Sequence, residues 1–220
     1  MTTNTRWTVD GRIAAVDAIL TRAPVVPVLS IAKLEDAVPL ARSLVDAGLP
    51  VLEVTLRTDL AREAIRAIAA EVPDAIVGAG TVLTPQDLEA VANSGATFAI
   101  APGCTETMYA AARDAAIPFI PAIATASELM RGLEHGHARF KFFPAESAGG
   151  IGALRSFAGP FAQAKFCPTG GIDAGKARDY LRLANVVTVG GSWMVPGDLL
   201  AARDWSAIGA LAAACLGLRA

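Results

Sequence analysis

The sequence predicts one α/β domain over residues 1–220, a (β/α)8 barrel with an extra helix in front, and three observations carry that reading. Short runs rich in β-branched and aromatic residues recur eight times, their starts lie 21 to 26 residues apart, and the stretches between them have helical periodicity. That pitch leaves room for one helix of about ten residues between strands, the crossover that a parallel pair requires.

In chain order, a leading helix is predicted over Ile13 to Leu20, and the first strand starts at Val25 in VVPVLS. Leu34, Ala37, Val38, Ala41, Leu44 and Val45 then recur at three- and four-residue spacing until Gly48 ends the helix. The second strand starts at Val51 (VLEVTL), and Leu60, Ala64, Ile65, Ile68 and Ala69 repeat the helical pattern before Pro73. Further strands start at Ala75 (AIVGAG), Phe98 (FAIAP), Phe119 (FIPAI), Phe140 (FKFFP), Lys165 (KFCPTG) and Val186 (VVTVGG). An alanine-rich helix near Ala207 to Leu216 closes the series, and no Pro/Ser-rich linker interrupts it. A doubly wound open sheet uses the same units, but its glycine fingerprint is weak. Gly78-Ala79-Gly80 runs into Thr81-Val82-Leu83 where a third glycine and a helix should follow.

With 53% hydrophobic and 18% charged residues, the chain is no disordered tail. The apolar run Ile208 to Leu218 falls short of the roughly 20 residues that span a bilayer. Arg6, Asp10, Arg12 and Asp17 stand where a secretory signal would need an apolar block, so a cytoplasmic protein is expected. The charges are interspersed and sum to −2, which offers no footprint for nucleic acid. Cys104, Cys167 and Cys215 lack C-x-x-C spacing and read as reduced thiols. His135 and His137 flank Gly136 without a third ligand in any zinc pattern, so they read as a solvated helix end. Trp193 and Met194 read as core filling.

In a barrel, polar residues at the carboxyl ends of strands face the active site. Lys141 therefore stands out, a charge among Phe140, Phe142 and Phe143 inside a strand. An amine deprived of water is favoured in its neutral, nucleophilic form. The alternative is a lysine that snorkels from a strand end or pairs with Glu53. Period two places Glu53, Thr55 and Arg57 on one face of VLEVTLR, which offers an acid/base beside a nucleophile, or a buried ion pair that only fixes register. Arg57 could clamp a carboxylate through its two-pronged guanidinium, or be an ordinary surface charge. Gly170-Gly171 after the seventh strand and Gly190-Gly191-Ser192 after the eighth are candidate phosphate loops, though each glycine pair alone also fits a tight turn.

Read together, LEVTLRT from Leu52, VGAGTVL from Val77, PGCTE from Pro102, FKFFPAE from Phe140, FCPTGGI from Phe166 and VGGSWMVP from Val189 resemble the 2-keto-3-deoxy-6-phosphogluconate (KDPG) aldolase family, from about Pro24 to Pro196. The resemblance implies a class I aldolase that uses no metal or other cofactor and forms a homotrimer. Lys141 would form the Schiff base, Glu53 would be the acid/base, and Arg57 with Thr81 would hold the pyruvyl carboxylate. Pro102 and Phe143 would wall the pyruvate pocket, and Thr169 would contact the substrate hydroxyl or aldehyde. Gly170, Gly171, Gly190, Gly191 and Ser192 would hold the phosphate. Cleavage of 2-dehydro-3-deoxy-6-phosphogluconate is the implied reaction, with 4-hydroxy-2-oxoglutarate as a possible second substrate. The phosphogalactonate epimer, a phosphosugar isomerase or epimerase, and a non-catalytic phosphate-binding barrel are the competing expectations. No nucleic acid or membrane partner is expected.

Overall fold

The computed structural model describes residues 7–219, so Arg6 and the extreme ends of the predicted domain lie outside the described residues. Helix α1 (Val9–Leu20) precedes strand β1 (Val25–Leu29). It starts ahead of the expected Ile13 because the Thr8 hydroxyl accepts the Gly11 N–H at 3.0 Å and caps the first turn. Helices α2 (Leu34–Asp46), α3 (Ala61–Glu71) and α4 (Pro85–Asn93) then alternate with β2 (Val51–Thr55), β3 (Ile76–Gly80) and β4 (Ala99–Ile100). After α5 (Glu106–Asp114) come β5 (Phe119–Ile120) and β6 (Ala122–Ile123), followed by α6 (Ala126–Glu134), β7 (Arg139–Phe142), α7 (Gly150–Ala158) and β8 (Lys165–Pro168). The described chain ends through α8 (Ala174–Leu181), β9 (Val189–Gly191), α9 (Gly197–Ala202), α10 (Trp205–Ala214) and a 3-10 turn, Cys215–Arg219.

All strand pairings are parallel. One sheet runs β5-β4-β3-β2-β1-β9 and another runs β6-β7-β8. Only Pro121 separates β5 from β6, so the single strand expected from FIPAI is split in two. Proline has no N–H to give the ladder, yet the Pro121 carbonyl still accepts the Lys141 N–H at 3.0 Å and links the sheets. Parallel bridges Phe166–Val186 and Thr169–Gly190 join β8 to the last strand, which begins at Val189 rather than the expected Val186. The product is a parallel, curled sheet whose pairing returns to β1.

Alternation along the strands sorts side chains into two cores. Leu52, Val54, Phe140, Phe142 and Phe166 pack outward against helix residues such as Ala37, Leu40, Leu44, Ile65 and Ile68. Each buried phenyl ring contributes roughly 1.5–3 kcal/mol through surface removed from water. Two residues of the expected helical stripes depart from this core. Leu34 is 39% exposed at the first turn of α2, and Ala69 is exposed on α3. Val26, Val51, Phe98, Ile100, Ile120 and Cys167 point the other way and pack with Val16, Ile19 and Leu20 of α1. Asp17 of α1 also accepts two bonds from Arg139, the first residue of β7, at 2.6 and 2.7 Å. Helix α1 thus covers the amino-terminal end of the strands, which leaves their carboxyl ends as the open face. Among the described residues no helix is long and apolar enough to cross a membrane.

Candidate active site

Inside the curled sheet, β2 presents Glu53 and β7 presents Lys141, and Lys141 Nζ donates to Glu53 Oε1 at 2.8 Å. Glu53 is 1% and Lys141 6% exposed, so each charge has the other as its main compensation for lost water. The Lys141 amine also lies 5.4 Å from the centre of the Phe143 ring. Glycines make the room. A Cβ at Gly80 would collide with the Glu53 carboxyl group, and one at Gly78 would strike the Phe98 ring. Burial pushes the neighbouring Cys167 thiol up to about 12, only partly opposed by Lys141, so it is a neutral bystander.

The remaining expected site residues lie at the carboxyl ends of the strands. Thr81 follows β3 with φ +60, a left-handed conformation that a β-branched residue rarely adopts and that marks local strain. Pro102 follows β4 and is half-buried. Neither Thr81 nor Pro102 has a side-chain hydrogen bond to Lys141 or Glu53. Arg57 is exposed, has no ion pair among the described residues, and lines a cleft of about 230 Å³ together with Ser30, Thr55, Ser192 and Val195. Thr169 is buried, with its N–H donated to the Phe142 carbonyl at 2.9 Å and its carbonyl accepting the Ala145 N–H at 2.8 Å.

The two glycine pairs differ. Gly170 and Gly171 have φ +104 and +77, where a side chain would be strained, and they form a true turn. Gly190 and Gly191 lie inside β9, which corrects their reading as a turn. A Cβ at Gly190 would collide with the Thr169 hydroxyl, and one at Gly191 with the Trp193 ring. The backbone N–H groups of Gly170, Gly171 and Ser192 donate to no acceptor among the described residues. They are available to an anion.

One cluster escaped the sequence reading. Tyr180 of α8 donates its hydroxyl to Glu146 Oε1 at 2.5 Å, and Lys176 of the same helix pairs with Glu146 Oε2 at 2.7 Å. Lys176 Nζ also donates to the Gly171 carbonyl at 3.1 Å. These bonds, Lys176 first and Tyr180 second, hold the Glu146 carboxyl below the usual carboxylate range. The FKFFPAE motif contains Glu146, but nothing in the sequence pairs it with a helix 30 residues further along.

His137 corrects the expectation of a solvated pair. It is 3% exposed between Tyr109 and Phe119, and its Nε2 has no hydrogen-bond partner among the described residues. Burial, with Arg12 and His135 adding, pulls its pKa down to about 3. His135 caps α6, stacks on Tyr109 and bonds Glu106 at 2.9 Å. No cluster of three or more metal-ligating side chains occurs among the described residues. The three cysteines are free, and Met194 is fully buried while Trp193 is only partly so.

Known proteins supply an independent comparison. The sequence model of the KDPG and KHG aldolase family matches residues 16–211. A KHG/KDPG aldolase of Escherichia coli K12 is 58% identical over 196 residues, which is 89% of this chain and 92% of that protein. The crystal structure of the Legionella pneumophila KDPG aldolase, with pyruvate captured as a covalent carbinolamine, superposes with TM-score 0.89 at 48% identity over 91% of this chain and 97% of that one. The Zymomonas mobilis 2-keto-3-deoxy-6-phosphogluconate aldolase gives 0.88 at 45% over 92% and 97%. Across most of its length, in sequence and in fold alike, the chain belongs to the KDPG and KHG aldolase family.

Proposed function

We propose that the chain is a class I aldolase that cleaves 2-dehydro-3-deoxy-6-phosphogluconate to pyruvate and glyceraldehyde 3-phosphate through an imine on Lys141. The buried Lys141–Glu53 pair at 2.8 Å carries the reading, because it sets a nucleophile beside a proton acceptor. Lys141 Nζ adds to the C2 ketone, and loss of water leaves a protonated imine. Glu53 takes the proton of the C4 hydroxyl as the C3–C4 bond breaks. Its electrons move into the imine to form the pyruvate enamine, and the aldehyde departs. Glu53 returns a proton to C3, and water hydrolyses the imine to free pyruvate and Lys141. The imine is the electron sink, so no metal or other cofactor has a task in the sequence of steps.

Around that pair, Arg57 and Thr81 hold the keto acid's carboxylate, Pro102 and Phe143 wall the pyruvyl group, and Thr169 meets the substrate hydroxyl or aldehyde. Gly170, Gly171 and Ser192 hold the phosphate through their free N–H groups, Ser192 adds its hydroxyl as a further donor, and Gly190 and Gly191 shape the adjoining strand. The returning strand pairing supports a closed (β/α)8 barrel in one domain over 1–220, with α1 as the additional leading helix. The name of the E. coli relative supports 4-hydroxy-2-oxoglutarate as a second substrate, cleaved to pyruvate and glyoxylate. A cytoplasmic homotrimer completes the proposal, and light scattering tests its mass. Incubation with pyruvate and borohydride should add one reduced pyruvyl group to the Lys141 peptide. Labelling elsewhere, or labelling that survives Lys141→Ala, refutes the imine.

A further inference from the structure

We infer that Glu146 is the hub of a clamp, with Lys176 and Tyr180 as its arms, that fixes the Gly170–Gly171 turn for the substrate's phosphate. None of the three belongs to the catalytic pair. The inference rests on the aldolase reading above and deepens it by naming positioning residues for its phosphate site.

The argument starts from the backbone of the turn. Gly170 and Gly171 both have positive φ, and a chain of two glycines in that region has many conformations to choose from. Something must select one. The Gly170 carbonyl accepts the Glu146 N–H at 3.1 Å, and the Gly171 carbonyl accepts Lys176 Nζ at 3.1 Å. With both carbonyls tied down, the N–H groups of Gly170 and Gly171 are left without acceptors among the described residues, as an anion-binding turn needs.

Glu146 in turn is held by side chains. Its Oε2 receives Lys176 at 2.7 Å and its Oε1 receives the Tyr180 hydroxyl at 2.5 Å. The Tyr180 ring is fully buried, so that arm is a fixed post, whereas Lys176 is the exposed arm. A Cβ at Gly171 would come within 2.8 Å of Glu146 Cγ, so the carboxylate stem also packs against the turn itself. Glu146 lies five residues beyond Lys141, in the segment that begins with Phe143. The clamp therefore ties the phosphate turn to the loop of the imine strand and sets the distance between the two ends of the substrate.

Two ways for Lys176 to matter need separating: holding the turn, or attracting phosphate directly by its charge. Tyr180→Phe removes one bond to Glu146 without changing any charge at neutral pH, so it probes the hold alone. Tyr180→Phe and Lys176→Met are each expected to raise KM for the phosphorylated substrate roughly five- to twenty-fold, less than the full worth of a hydrogen bond to a charged group because the loss reaches the phosphate only through the turn, with kcat within about two-fold. Inorganic phosphate should inhibit both variants more weakly by a similar factor. Lys176→Arg, which can still reach Glu146 and the Gly171 carbonyl, should restore KM. Pyruvate–borohydride labelling of Lys141 involves no phosphate and should keep its wild-type rate. Unchanged KM in Tyr180→Phe, whatever Lys176→Met does, overturns the clamp, as does an equal loss in pyruvate labelling. A wild type that pyruvate does not label at Lys141 would instead overturn the aldolase reading beneath it.

Discussion

Gly80→Ala places one methyl group where the Glu53 carboxyl group now sits. Gly80 is in β3 with no positive φ, so alanine is allowed by the backbone, and the strain is purely steric. The new Cβ would stand 2.7 Å from Glu53 Cγ and 2.8 Å from Cδ, against about 3.5–4.0 Å for relaxed carbon contacts. The carboxylate must retreat by about 1 Å from its 2.8 Å bond with Lys141. Overpacking of that kind costs about 1–3 kcal/mol of stability, which a chain of this size registers as a melting shift of several degrees while it stays folded. Misplacing a proton-transfer group by about 1 Å can cost ~100-fold in rate, or about 2.7 kcal/mol of barrier. Pyruvate release, followed through a coupled dehydrogenase, should therefore fall about 100-fold in kcat. Glu53→Gln, which keeps the size and loses the proton acceptor, sets the scale at roughly 10² to 10⁴. If Gly80→Ala is folded and turns over within about two-fold of wild type, Glu53 is not placed by this contact or does not move the proton.

Ser192→Ala should lower kcat/KM for the phosphorylated substrate roughly ten- to a hundred-fold and spare 4-hydroxy-2-oxoglutarate. Equal losses on both would show that Ser192 does not read phosphate. Activity should persist after exhaustive chelation, because the imine carries the electrons; loss restored by zinc or magnesium would point to a metal-dependent aldolase instead. His137 predicts an acid-side loss of stability. Above about pH 6.5 it is neutral folded and unfolded, whereas below that only the unfolded chain gains its proton until the folded value of about 3 is reached. The loss runs at about 1.4 kcal/mol per pH unit, roughly 2 kcal/mol by pH 5, where most carboxylates are still ionised. Urea midpoints at pH 7 and 5 measure it, His137→Phe should flatten the slope, and a flat wild-type profile would disprove it.

The buried Lys141–Glu53 pair was readable because chemistry and packing conflict there. A lysine flanked by phenylalanines has no place in a strand unless something opposite compensates it, and period two pointed Glu53 the same way. Strand spacing was equally legible, since parallel strands need crossovers of similar length. What stayed hidden depends on contacts between distant residues. Gly190 and Gly191 look like a phosphate turn in sequence, but their lack of side chains answers to Thr169 and Trp193. Glu146 and Tyr180 are 34 residues apart, and no periodicity relates a loop to the last turn of a later helix. His137 looked solvated beside a glycine and another histidine, and only the packing of Tyr109 and Phe119 reveals its burial. The break at Pro121 was open to view, since proline cannot donate, yet the wholly apolar FIPAI run read through it as one strand.

Helix α1 covers the amino-terminal end of the curled sheet with Val16, Ile19 and Leu20, and the Asp17–Arg139 pair latches it to the strand that carries Lys141. With the sheet closed as proposed above, it is a vessel with a single mouth, and such a vessel imposes single-file traffic. On the proposed assignment the pyruvyl half is bound covalently at the bottom, while the phosphorylated half lies nearer the rim, so the last part to enter is the first able to leave. The aldehyde must depart before pyruvate is released, and in the reverse direction pyruvate must be loaded before an aldehyde arrives. The order of release then needs no gate or moving lid, because the covalent bond to Lys141 in that assignment holds pyruvate behind the departing aldehyde.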